Sequence, residues 1–195
     1  MKRREAVNLL AVAPLAAAFH WAPESLRQAA VRTREVLRRS APYEPKNFTA
    51  HEWETVRLLV DVIIPKDERS GSATDAGVPE FMDFMLGDDR DLGTPLRGGL
   101  AWLDHECDDR YGKTFVTASD PERAALLDDI AWPKKAKPEH AAGVAFFNSF
   151  RNLTASGFWS SKMGIEDLQY QGNTFVAEWR GCPPEALAKL GVRYP

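Results

Sequence analysis

The stretch GFWSSKMGIEDLQYQGNTFVAEWRG, residues 157–181, decides how the rest of the chain must be arranged. Four glycines (Gly157, Gly164, Gly172 and Gly181) interrupt it at intervals too short for a stable helix. Between them it carries Phe158, Trp159, Met163, Ile165, Leu168, Tyr170, Phe175, Val176 and Trp179. Leaving such side chains in water forfeits about 1.5–3 kcal/mol each, so the segment is not a solvated linker. No clean period of 2 or 3.6 runs through it, so it does not form a core of its own. It must lie on something else. Two coverings are open: the helices of this chain, closed by an irregular arm over residues 157–195, or, in addition, the surface of a second protein.

Immediately upstream, residues 138–155 read as a helix whose Val144, Phe146, Phe147, Phe150 and Leu153 cover a broad face, which places it centrally. Residues 48–65 carry the clearest helix signals. Thr49 with Glu52 three residues on makes a capping box, and Phe48 with Trp53 makes a hydrophobic staple. Trp53, Val56, Val60 and Ile63 recur at helical spacing, and Pro65 stops the run. Residues 78–86 give a second short helix with Phe81, Met82 and Met85 inward. Thr94-Pro95 opens a third, faced by Leu96, Leu100, Leu103, Cys107 and Tyr111 and stopped by Gly112. Asp120-Pro121 opens a fourth, ended by Trp132-Pro133, and residues 184–190 form a last short helix. No strand pattern intervenes. The expected fold is all-α: residues 48–195 form one compact bundle of five or six short helices, wrapped by an irregular, aromatic-rich C-terminal arm.

The N-terminus is organised differently. Met1-Lys-Arg-Arg precedes an apolar stretch at residues 9–19, and Ala16, Ala17 and Ala18 offer a small-residue cleavage site. That order of charge, apolar core and small residues is an export signal over residues 1–18, and Arg3-Arg4 gives it a twin-arginine character. Ala6 and Asn8 depart from the usual twin-arginine pattern, and the alternative is a short buried N-terminal helix. Removing residues 1–18 takes a net +2 from −3 and leaves −5. Residues 19–47 read as a basic spacer and linker. Arg27, Arg32, Arg34, Arg38 and Arg39 stand beside only a thin stripe of Leu26, Ala30 and Leu37, and Pro42 and Pro45 follow. An arm laid on an acidic partner or on lipid headgroups is the alternative there.

Composition removes several function classes. At 44% hydrophobic and 27% charged the 195 residues suit one soluble domain, and a net charge of −3 gives no reason to expect nucleic acid. No run approaches the ~18 apolar residues of a membrane span. No phosphate-binding loop, nucleophile elbow, haem-attachment or zinc-helix motif occurs. His20, His51, His105 and His140 fall on separate elements. The cluster at residues 104–109 reads as a solvated acidic helix face rather than a metal pair. Cys182, between Gly181 and Pro183, lies on extended chain. A Cys107–Cys182 bridge, an intermolecular disulfide and a free thiol are all open, and the unbridged pair is preferred because Cys107 points with the leucines.

Three segments, in this order, resemble the small (subunit 3, or gamma) chain of gluconate 2-dehydrogenase-type, membrane-bound flavin dehydrogenases. They are the Arg3-Arg4 signal, FTAHEWETVRLLVDVIIPKD at residues 48–67 with DAGVPEFMDFML at 75–86, and GFWSSKMGIEDLQYQGNTFVAEWRGCPPEALAKLGV at 157–192. The resemblance implies a non-catalytic subunit that binds, stabilises and helps export a large FAD-containing, GMC-type dehydrogenase. Such an enzyme oxidises a sugar, glycoside or polyol and passes electrons to a cytochrome or quinone, so a cytochrome c subunit is a further implied partner. FAD then belongs to the partner and no cofactor to this chain. The implied place is the periplasm, with membrane association only through the complex. The resemblance carries no catalytic, cofactor or metal residues with it. On the residues alone, the apolar arm is the expected partner surface, through Trp159, Met163, Leu168, Tyr170, Phe175 and Trp179. The rival readings are a free-standing structural or binding protein of the cell envelope, and an enzyme built on scattered acids such as Asp61, Asp104 and Asp128.

Overall fold

In the computed structural model, which describes residues 23–39, 42–170, 178 and 181–194, eight α-helices and no strand occur among those residues. They are α1 (Pro23–Arg38), α2 (Ala50–Ile63), α3 (Val78–Asp88), α4 (Arg90–Tyr111), α5 (Asp120–Ala131), α6 (Ala141–Ser160), α7 (Lys162–Asp167) and α8 (Pro184–Leu190). A 3-10 turn, Pro138–His140, leads into α6. The all-α reading holds, but two of the helices are long: α4 has 22 residues and α6 has 20.

The caps form where the sequence marks them. Thr49 Oγ1 accepts from the Glu52 amide at 3.2 Å and Glu52 returns a carboxylate to the Thr49 amide at 2.8 Å. The Phe48 and Trp53 rings close the staple with centroids 6.2 Å apart. Ser119 and Glu122 make a second capping box at the start of α5, one residue ahead of Asp120.

Helix α6 is central, packing against α1, α2, α3, α4, α5 and α7. Its Phe146, Phe150, Leu153 and Phe158 are buried together with Phe81, Phe115, Leu103 and Ile130. This long apolar face draws the other helices around it, since each exposes only one apolar stripe that must be covered.

Three boundaries differ from the sequence expectation. First, α4 begins at Arg90, not at Thr94. Asp89 caps it by accepting from the Asp91 amide at 3.0 Å, and buried Leu92 anchors the added turn. Pro95 therefore lies inside the helix, where its nitrogen can make no bond to the Asp91 carbonyl. Second, α6 runs on through Gly157, Phe158 and Trp159 to Ser160, so these residues are its last turn and not the start of an irregular arm. Gly157 does not break the helix; a Cβ there would come 2.8 Å from Phe81 Cδ1.

The third difference is the largest. Residues 23–38 form a helix docked on α3 and α6, not a solvated spacer. Ala29 and Thr33 are buried, and the chain passes Gly77, whose φ of 81° is left-handed. A Cβ at Gly77 would lie 2.8 Å from both Thr33 Cγ2 and Leu37 Cδ1, so only glycine lets α1 approach this closely. Its arginines make specific bonds. Arg32 grips both oxygens of Asp88 at 2.8 Å, and Arg34 donates to the Ser160 carbonyl at 2.7 Å.

Candidate functional site

The elbow between α6 and α7 and the turn after α7 carry four of the six apolar residues that the sequence singles out, Trp159, Met163, Leu168 and Tyr170. Ser161 turns the chain there, its Oγ accepting from the Gly164 amide at 3.0 Å. The turn is tight because Gly164 lacks a side chain; a Cβ would collide with the Phe158 carbonyl. Phe158 is buried beneath it while Trp159, its neighbour, is 39% exposed. The two rings meet edge to face with centroids 4.9 Å apart.

Beyond α7 the backbone remains ordered by its own bonds. The Leu168 amide donates to the Gly164 carbonyl at 3.0 Å and the Tyr170 amide to the Ile165 carbonyl at 3.2 Å. Arg69 donates to the Asp167 carbonyl at 2.5 Å and faces its carboxylate at 3.3 Å, tying the segment to the loop before α3. With the path so fixed, Leu168 and Tyr170 stand 55% and 59% exposed. Met163 is different: it is half-buried and packs against the core. Phe175 and Trp179, and the export-signal pair Arg3 and Arg4, lie outside the described residues.

A half-open cleft of about 370 Å³ lies beside this elbow, between α1 and the start of α7. Phe81, Ala76 and Gly157 contribute to its lining with Leu37 and Met163, and Arg34, Arg38 and Lys162 bring positive charge to it.

The remaining polar groups hold the fold together. His51 Nε2 meets Asp104 Oδ2 at 2.6 Å while the other Asp104 oxygen accepts from the Phe115 amide at 2.9 Å, which joins α2, α4 and the loop after α4. Asp61 accepts from the Thr74 amide at 2.7 Å, and Asp128 is exposed on α5. The acids named for a self-sufficient enzyme therefore sit on separate elements, two of them engaged in structural bonds. His105 and Asp109 pair at 3.7 Å on the exposed face of α4. Among the described residues no three His, Cys, Asp or Glu side chains gather to hold a metal ion.

His140 is buried beside Arg110, whose guanidinium lies 3.2 Å from Nε2. Arginine can only donate, so this contact is a hydrogen bond only with Nε2 as its acceptor, and Nδ1 is buried without a partner. Both cysteines are free: Cys107 is buried on α4, and burial pushes its thiol up to about 11, while Cys182 is exposed with its amide donating to Tyr194 Oη at 2.6 Å.

No helix among the described residues is long and apolar enough to cross a membrane. No curated protein and no solved structure matches the chain. A protein family does match, over residues 50–177, a span that opens on the first residue of α2 and takes in α2 to α7, the elbow, Leu168 and Tyr170. That family is described as Gluconate 2-dehydrogenase subunit 3, and the chain belongs to it.

Proposed function

We propose that this chain is the non-catalytic small subunit of a periplasmic dehydrogenase complex, and that it binds, stabilises and helps export a large FAD-dependent, GMC-type subunit acting on CH–OH groups of a sugar, glycoside or polyol. Family membership supplies the coarser part, a subunit of a gluconate 2-dehydrogenase-type assembly. The observation that carries the finer part is the contrast at the elbow. An ordered backbone buries Phe158 and Gly164, yet it holds Trp159, Leu168 and Tyr170 outward within one twelve-residue stretch.

Single exposed apolar residues are ordinary, but three large ones on one ordered stretch favour a docking face. Covering each with a partner stabilises the complex by up to about 1.5–3 kcal/mol before the cost of association. Trp and Tyr suit that role because they bring large area with little rotamer entropy to lose. Met163 then backs the face from within. In this reading FAD resides in the partner, a cytochrome c subunit accepts the electrons, and the Arg3-Arg4 signal carries the folded pair to the periplasm, where the complex associates with the membrane.

The test is co-expression with the flavoprotein partner. Trp159→Ala combined with Tyr170→Ala leaves the helical circular-dichroism signal near wild type, lowers the thermal midpoint by only a few degrees through loss of the Trp159–Phe158 ring contact, and abolishes co-purification. Normal co-purification of the double variant would show that the elbow is not the docking face.

A further inference from the structure

We infer that the cleft beside the elbow receives a short acidic segment of the dehydrogenase partner, seating one large apolar side chain against Phe81 and Gly157 with a carboxylate alongside, held by Arg38. The inference rests on the reading of this chain as a docking subunit and adds where the partner enters and with what chemistry.

The cleft is held open by the way α1 is mounted. On one side α1 rests on the left-handed Gly77, touching it through Thr33 and Leu37. On the other, Arg34 donates to the Ser160 carbonyl at the end of α6. Fixed at two points, the helix cannot settle into the space between them, and Gly157 contributes no side chain to fill it. The result is an open trough of about 370 Å³. The α1 residues along it run from Ala30 to Arg38, a length of about 12 Å at 1.5 Å per residue. That suits a few residues of extended or helical chain. Its volume is at the low end of the roughly 300–1,000 Å³ range of small-molecule sites, and those enclose most of their ligand.

Charge selects the occupant. Arg34, Arg38 and Lys162 line the trough against Asp75 and Glu166. Asp75 already accepts from the Ser72 amide at 3.0 Å, and Glu166 faces Lys162 at 3.6 Å. Arg34 is committed to Ser160, whereas Arg38 has no hydrogen-bond or ion-pair partner among the described residues. On a chain of net charge −3, this is a cationic mouth over an apolar floor. A segment bearing carboxylates is drawn in and a basic one repelled. The trough also adjoins the proposed docking face: Ser160, which lines it, directly follows Trp159, and Met163 lines it from α7.

The test compares affinities of the full-length chain for its co-expressed FAD subunit. Arg38→Glu changes an exposed side chain that has no partner among the described residues, and Ala30→Phe fills the trough. Both weaken the complex about tenfold or more, while Arg38→Lys stays near wild type. The Arg38→Glu penalty shrinks as NaCl rises from about 50 to 300 mM. If both variants bind within about twofold of wild type while Trp159→Ala still weakens the complex, the cleft inference is overturned and the docking face stands. If wild type forms no complex, the subunit reading falls and this one with it. Loss of laurate binding, or of self-association, in Arg38→Glu with unchanged partner affinity also overturns it, assigning the cleft to a small amphiphile or to a second copy.

Discussion

Gly99 on α4 lies directly beneath the ring of Phe146 on α6, so close that a Cβ at position 99 would fall inside the ring's van der Waals envelope. The crossing is reciprocal, since Gly143 on α6 receives the Trp102 ring of α4 in the same way. Each helix thus lends the other a notch and an aromatic knob. Phe146 is buried on all sides and cannot move aside.

Gly99→Ala is therefore expected to destabilise the fold by about 1–3 kcal/mol through overpacking, although alanine is the better helix former. In a chain of this size that lowers the thermal midpoint by roughly 2–4 °C per kcal/mol. Gly98 is the control, because it is exposed on the same helix with nothing near its missing Cβ. Gly98→Ala is neutral or stabilising by up to about 1 kcal/mol. Thermal melts that rank the two variants the other way would contradict the notch.

Asp83 organises the entry to the bundle. Fully buried on α3, it accepts from Tyr43 Oη at 2.6 Å and from the amides of Lys46, Asn47 and Phe48 at 3.0, 2.8 and 3.2 Å. Burial, and then the bond to Asp83, pushes the Tyr43 phenol up, so it stays a donor throughout the working pH range. Asp83→Ala strands several donors at once and costs about 3 kcal/mol or more, whereas Tyr43→Phe removes a single bond worth about 0.5–1.5 kcal/mol. Equal losses in denaturant unfolding would show that Asp83 does not anchor this segment.

Glu80, one turn before Asp83, is buried with Oε2 unpartnered. Burial raises its pKa above the ordinary 4.5, opposed by its own backbone amide and by Arg57 and aided by Asp83. A carboxyl raised in the folded state contributes fully to stability below its unfolded pKa and loses that contribution as pH rises through the folded value. Glu80→Gln removes the titration. The variant should melt above wild type near about pH 7, with the gap closing as pH falls toward about 4. A gap that does not change with pH would contradict the assignment.

Much of this architecture is written in local signals. Thr49 with Glu52 fixes the start of α2, and the phenylalanines at 146, 147 and 150 mark α6 as the centre, because caps and broad apolar faces depend on neighbouring residues only. What escapes sequence reading is burial achieved by small groups. Helix α1 docks through Ala29, Thr33 and the left-handed Gly77, small groups that leave only the thin stripe of Leu26, Ala30 and Leu37 to see. Gly157 looks like a helix breaker and is instead the seat of Phe81. Sequence also cannot divide Phe158 from Trp159, adjacent aromatics of which one faces the core and the other solvent. The cleft is still less legible, since its walls come from α1, the turn before α3 and the elbow, brought together only by the fold.

The most direct test of the central claim is size-exclusion chromatography of the complex isolated from the native source, following flavin absorbance together with an antibody to this chain. The account predicts that the chain co-elutes with a yellow, FAD-bearing polypeptide that oxidises a sugar or polyol, and that the separated chain has no such activity. A chain that elutes alone as a stable monomer, with no flavoprotein accompanying it, would contradict the account.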